Sequence, residues 1–204
     1  MFIYICTEMR IRDEKKEERV RQKALELIVK EGFDGFSMNK LAKAAGVSPG
    51  TLYIYYKDKE DLILCLGQEI GKKMTEATFK GFDKEMDLET GLWIQWKNRA
   101  EFYLNQPLEM EFYDQLKVSP FKDKMDNSVT IKFSEEMGGF IRNAINKGEA
   151  LSLTPVVFWS VAFAPLYNLI RFHLDGKSMG GRPYTFSEEH MKDAFKAVLR
   201  ALKV

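Results

Sequence analysis

Thr51, Tyr53, Tyr55 and Lys59 fall within nine residues of one another, in a stretch with few apolar anchors. Threonine and tyrosine hydroxyls, a lysine ammonium and the free N–H groups at a helix start are the usual ligands of phosphate oxygens. For Tyr53 and Tyr55 ordinary helix packing is the competing reading. Catalytic chemistry is not legible anywhere in the chain. No nucleophile stands beside a base, and Glu109 and Glu111 are spaced i, i+2, so they do not share a helix face. Two histidines, His173 and His190, cannot build a multi-histidine metal centre. Two cysteines, Cys6 and Cys65, cannot build a zinc cluster or a disulfide framework. The expectation is a protein that is not an enzyme and that carries no cofactor and no metal.

The elements that must position those hydroxyls are short and well punctuated. Ser37 is placed to cap a helix over Met38–Ala45, and Gly46 breaks it with a turn that favours positive φ. Ser48 then caps a second helix over Pro49–Tyr55, whose proline at the first position loses nothing by lacking an N–H. Ala42 and Ala45 let the two helices approach, Val47 and Leu52 pack between them, and Tyr56 joins Leu52 in the core. This is the layout of a helix-turn-helix, with the motif at 37–56. The Ser-Pro-Gly start of the second helix has little bulk, so its backbone and Thr51 can come close to base edges in a major groove.

The stretch ALELIVKEGFDGFSMNKLAKAAGVSPGTLYIYYKDKEDL resembles the DNA-binding domain of the TetR family of bacterial transcriptional regulators. Gly32-Phe33, Ser37, Ala45 to Ser48, Gly50-Thr51, Tyr53, Tyr55 and Lys59-Glu60 carry the likeness; Tyr56 stands where the family usually has Phe. The resemblance implies phosphate contacts from Thr51, Tyr53, Tyr55 and Lys59. It implies positions near base edges for Asn39, Pro49 and Gly50, with Lys40 close by. Ser37 and Ser48 would cap helices and add phosphate contacts. It implies an all-α fold of about nine helices, in which an N-terminal three-helix helix-turn-helix DNA-binding domain precedes a C-terminal helical ligand-binding and dimerisation domain. The expected domains are residues 10–58 and 59–204.

Charge is distributed unevenly. Residues 10–59 hold 12 basic and 8 acidic side chains, whereas the whole chain of 204 residues has a formal net charge of only +1. An anionic partner for the front and a solvated, ion-paired helix face are both compatible with that asymmetry. The first helix is expected over about 13–30, with Val20, Ala24, Leu27 and Ile28 forming one stripe and Gly32 stopping it. Asp58 is placed to cap a long helix ending near Gly81, with Asp61 adding negative charge in its first turn.

Helical spacing continues to the C-terminus, over about 88–105, 108–118, 126–147, 155–174 and 188–202. The last of these carries Met191, Ala194, Phe195, Val198, Leu199 and Leu202 on one face. Met191, Phe195, Val198, Leu199 and Leu202 are the expected dimerisation residues. The helix before it is apolar nearly all round and needs two covering surfaces. A second copy packed as a four-helix bundle would supply one, and a single larger core is the alternative. Aromatic side chains are numerous between Trp93 and Phe172. Trp93, Trp96, Phe102, Tyr103, Tyr113, Phe158, Trp159 and Tyr167 are candidates to line a pocket for a small apolar effector, each otherwise a core residue. Gly138-Gly139 inside a helix marks close packing or room beside a cavity.

With 45% apolar and 30% charged residues the chain reads as soluble and globular. The apolar run from Pro155 to Ile170 falls short of the roughly 20 residues a membrane span needs. The start, MFIYICTE, lacks both the leading charge and the length of a signal peptide's apolar run, about 7–15 residues. Met9 is an alternative beginning. A cytoplasmic protein without membrane contact is expected. The expected function is a ligand-responsive regulator, a repressor, that binds a palindromic operator on double-stranded DNA as a homodimer and is released by a small, largely apolar effector. A transcriptional activator of the same family and a non-specific DNA-organising protein are the alternatives.

Overall fold

The computed structural model describes residues 14–125 and 128–204, with side chains omitted for 126–130. The sequence expectations that touch Cys6, the Met9 start, residues 10–13 of the first domain, and a helix beginning at Asp126 lie outside the described residues. Among the described residues there are nine α-helices and no strand, only two isolated bridges, Ala150 with Lys203 and Lys177 with Pro183. The helices are α1 (Glu14–Gly35), α2 (Met38–Ala45), α3 (Pro49–Tyr55), α4 (Lys59–Thr78), α5 (Leu88–Asn105), α6 (Pro107–Lys117), α7 (Ser128–Asn146), α8 (Pro155–Leu174) and α9 (Glu188–Leu202). The fold is therefore all-α, as the sequence pattern requires.

Two compact units partition the chain: residues 1–67 with 111–125, and residues 68–110 with 126–204. The division falls within α4 and α6. The first unit thus takes in more chain than the 10–58 expected for the DNA-binding domain.

In the first unit, Val20, Ala24, Leu25 and Ile28 of α1 face the core, with Leu25 buried and the expected Leu27 only half-buried. Leu41 and Ala42 of α2, Leu52 of α3, Tyr56, and Leu62, Ile63 and Leu66 of α4 complete the apolar centre. The segment 111–125 closes it. Phe33 packs against Phe112 at 5.9 Å and Phe121 at 5.3 Å between ring centroids. Gly67 is needed for this closure, since a Cβ there would collide with Leu116. At Gly32 the backbone turns to φ 72°, ending the regular helix where the sequence places its stop.

In the second unit α5 is the central helix. Its buried side chains are Leu88, Leu92, Gln95, Trp96, Arg99, Ala100 and Tyr103, a single stripe at helical spacing. Trp96 donates its indole N–H to the Ala162 carbonyl of α8 at 2.8 Å. Phe195 of α9 lies against Trp93 at 4.9 Å and Trp96 at 5.3 Å. Gly91 lets the Phe140 ring of α7 touch the α5 backbone.

The α8 helix is 20 residues long, four beyond the apolar run read from the sequence, and is long and apolar enough to cross a membrane by length and composition. Its Phe158, Ala162, Phe163, Leu166 and Ile170 are buried inside the unit, whereas Val156, Val157 and Leu174 are exposed.

The apolar stripe of α9 packs within its own chain. Met191, Phe195, Val198, Leu199 and Leu202, expected as dimerisation residues, are all under 8% exposed in a single chain. The stripe is covered by α5 and α8 of the same protomer.

Candidate functional site

The first unit builds its exposed surface from two capped helices. Ser37 accepts the Lys40 backbone N–H at 3.3 Å through Oγ and the Leu41 N–H at 3.0 Å through its carbonyl. At the other end of α2 Gly46 takes φ 63°, ψ 40°. Its N–H bonds back to Lys43, and the Val47 N–H reaches the Ala42 carbonyl at 3.0 Å. This double bond pattern around a left-handed residue is a Schellman closure, and it fixes the angle at which the chain leaves α2.

Ser48 then accepts the Thr51 N–H at 3.2 Å, and its hydroxyl also lies 2.9 Å from Thr51 Oγ1. The pair of hydroxyls is locked in place at the start of α3. Leu52 is fully buried and Tyr56 nearly so, which anchors one face of this seven-residue helix in the core. The opposite face is open. Ser48, Pro49, Gly50 and Tyr53 are exposed, Thr51 and Tyr55 half-buried, and Tyr53 shows 55% of its surface to solvent. A Cβ on Gly50 would meet nothing nearer than Ser48 Oγ at 3.9 Å, so internal packing does not demand glycine there.

Asn39 and Lys40 of α2 are exposed too, and Ser37 is half-buried. Lys40 is not idle: its ammonium bonds Glu31 Oε2 at 2.6 Å and the Gly35 carbonyl at 2.8 Å. That hydrogen bond from Lys40 holds the Glu31 carboxyl below its ordinary pKa. The Lys59 ammonium also turns inward, donating to the Phe33 carbonyl at 2.6 Å. The structure thus gathers Ser48, Pro49, Gly50, Thr51, Tyr53 and Tyr55 on one short helix and its cap. The two expected cations are engaged with the unit's own backbone. The following helix begins as foreseen, with Asp58 Oδ1 accepting the Asp61 N–H at 2.9 Å while Asp61 Oδ2 accepts the Lys57 N–H at 2.8 Å.

The residues expected to line an effector pocket separate into three groups. Trp93, Trp96 and Phe158 belong to the packing core of the second unit: Trp96 and Phe158 are buried, Trp96 is hydrogen-bonded, and Trp93 lies tilted against Phe195. Tyr113 lies in the first unit, where burial raises the pKa of its phenol. Phe102 is half-buried on α5. Tyr103, Trp159 and Tyr167 are the ones brought together. Tyr103 and Tyr167 stand 5.2 Å apart, and Trp159 lies against Phe163 at 4.6 Å and Phe133 at 5.5 Å.

Sequence reasoning passed over the side chain at the middle of this group. Arg99 is 3% exposed, and its guanidinium lies over the rings of Phe163, Trp159 and Phe133 at 4.5, 5.1 and 5.4 Å. It donates to the Tyr167 oxygen at 2.7 Å and to Gln95 Oε1 at 3.1 Å. The signal was present, because Gln95 and Arg99 interrupt the stripe that runs through Leu88, Leu92, Trp96 and Tyr103. Two polar residues four apart on a buried helix face call for partners.

A small helix-turn-helix unit with an open second helix, in a chain built wholly of helices, defines the class: a helix-turn-helix regulator. The comparisons agree. Residues 21–66 match the family model described as bacterial regulatory proteins, tetR family. A TetR family transcription regulator from Marinobacter aquaeolei VT8 is similar over 96% of this chain and 99% of its own, at 27% identity and a TM-score of 0.75. An uncharacterized HTH-type transcriptional regulator of Haemophilus influenzae is 31% identical over 102 residues, half of this chain and 54% of that protein. The fatty acid metabolism regulator protein of Bacillus subtilis is 44% identical over 46 residues, 22% of this chain and 24% of that one. The matched segments thus span about half or less of these curated relatives. Residues 21–66 are thus a TetR-family DNA-binding domain, and the chain as a whole is similar to a TetR family regulator.

Proposed function

We propose that this protein is a ligand-responsive transcriptional repressor that binds a palindromic operator as a homodimer. The observation that carries the reading is the open face of α3, where Ser48, Pro49, Gly50 and Tyr53 are exposed while Leu52 and Tyr56 hold the helix in place. A helix anchored on one side and free of bulk on the other suits insertion into a major groove. Residues 10–58 act as the DNA-binding domain and 59–204 as the ligand-binding and dimerisation domain.

Phosphate contacts come from Thr51, Tyr53 and Tyr55 and from the exposed Ser48. Base-edge contacts come from Asn39, Pro49 and Gly50. Pairing of two chains uses the outward side of α8, whose Val156 and Val157 are exposed beside Ser160 and Ala164, together with the outward side of α9. The inward stripe of α9 is already spent within the protomer. Two recognition helices then enter successive major grooves about 34–36 Å apart. A small effector in the second unit releases the operator only if it binds two conformers with different affinity. The protein acts in the bacterial cytoplasm, where its DNA lies.

The deciding experiment is a gel-shift titration of the purified full chain against the DNA upstream of its own coding sequence, at low salt and without ligand. Sequence-selective retardation that weakens steeply as salt rises is expected. Equal affinity for that segment and for unrelated DNA would overturn operator recognition and leave a non-specific DNA-organising protein.

A further inference from the structure

Arg99 places a guanidinium, a fork of five donors with no acceptor, inside the second unit. A buried guanidinium is normally met by a carboxylate. Here both of its described acceptors are neutral, the Tyr167 oxygen and Gln95 Oε1, and its Nε–H is buried with no acceptor among the described residues. Gln95 cannot turn away freely, since its own amide donates to the Thr78 carbonyl at 3.1 Å. The Tyr167 hydroxyl receives the Arg99 bond, and its own proton has no acceptor among the described residues. Three ring faces repay part of the desolvation of the cation, but rings supply no counter-charge. No other described cation lies over these rings.

We infer that Arg99 anchors the effector, and that the effector is an organic carboxylate with an apolar body. This deepens the effector-responsive reading above and rests on it. One positive charge in an otherwise apolar cage suits a single negative charge on a hydrophobic molecule. A carboxylate oxygen takes the unused Nε–H, and its partner oxygen takes an Nη N–H on the same edge of the fork or the Tyr167 O–H. The apolar body lies against Trp159 and Phe133, which are half-buried and form the outer wall, while Phe163 is buried behind them. A neutral molecule of the same shape would leave the guanidinium without a counter-charge.

Calorimetric titration of the full chain with 1-naphthoate and decanoate, each beside its amide, tests this directly. At least one acid should bind tenfold or more tighter than its amide, and Arg99→Gln should abolish that preference. If neither acid exceeds its amide in the unsubstituted protein, the inference is overturned, and this comparison needs no variant that might fail to fold. If Arg99→Gln is unfolded by circular dichroism, Arg99→Lys replaces it. Loss of the fork should then cut the acid preference several-fold, and an undiminished preference overturns the role of Arg99. The gel shift without ligand is run in parallel. Operator binding with no acid preference sinks the carboxylate and leaves the regulator; acid preference with no operator binding sinks the regulator and leaves the Arg99 site.

Discussion

The Lys59 ammonium donates to the Phe33 carbonyl across 26 positions of sequence, at 2.6 Å, tying the start of α4 to the last turn of α1. A lysine so placed stabilises the first unit and has little freedom to reach a phosphate. Lys59→Met should therefore lower stability by about 1.5 kcal/mol, the low end for a hydrogen bond with a charged group, since the pair is only part-buried. Thermal unfolding would show it as a drop of several degrees. The salt slope of DNA binding should stay near that of the unsubstituted protein. A slope reduced by about 0.9 would mean that Lys59 leaves Phe33 for a phosphate.

Gly50 separates folding from recognition. The space around it is open, so Gly50→Ala should leave the melting temperature unchanged or raise it by up to about 1 kcal/mol equivalent, through helix propensity. Operator affinity should fall all the same, because the added methyl stands on the face that approaches the base edges. Equal affinity in fluorescence anisotropy would remove Gly50 from the interface.

Tyr53 offers a hydroxyl on a half-exposed ring. Tyr53→Phe removes one oxygen and changes no core contact, so unfolding in urea should be unaffected within about 0.5 kcal/mol. Binding should weaken about equally for the operator and for unrelated DNA, because a phosphate contact carries no sequence information. A loss confined to the operator would instead assign Tyr53 to base reading.

Gly91 is a packing requirement. A Cβ there would run into the Phe140 ring, which is fully buried and hemmed in by Phe82 at 5.1 Å. Gly91→Ala should destabilise the second unit by about 1–3 kcal/mol despite the better helix propensity of alanine. A chain no less stable than the original in chemical denaturation would show that the ring shifts aside without cost.

These four positions show what a sequence can disclose. The α2–α3 corner was legible because its signals are local: Ser37, Gly46, Ser48 and Pro49 each act on the backbone within three or four residues, and the structure uses every one. The direction of a long side chain is not local. Position places Lys59 with the phosphate contacts and Lys40 beside the base-edge residues, yet their ammonium groups end on Glu31, Gly35 and Phe33, which only the tertiary fold brings near. The α9 stripe was equally plain from its spacing. Spacing says that a face is covered and cannot say by which chain; in the structure the same chain covers it, with Trp93 and Trp96 against Phe195. Arg99 is legible only as a polar interruption, with Gln95, of an otherwise apolar stripe, and the partners it meets lie on α7 and α8, far away in sequence.

Asp87 connects the start of α5 to pH. Its Oδ1 accepts the Thr90 N–H at 2.9 Å, a cap on the helix that carries Gln95 and Arg99. The hydrogen bond from the Thr90 backbone is the largest cause holding the Asp87 carboxyl below its ordinary pKa. A lowered folded pKa means that, as acid is added, the unfolded chain takes up the proton first. The cap's contribution is therefore complete above the ordinary aspartate range, near pH 4, and is lost as pH falls through the lowered folded value. Asp87→Ala should cost about 1 kcal/mol at neutral pH. In urea titrations that deficit should shrink steadily below about pH 4, whereas Asp87→Asn, a cap without a titrating proton, should show no such acid-dependent loss of its own. A deficit for Asp87→Ala that is the same at pH 6 and pH 3 would show that the carboxylate charge adds nothing to the cap.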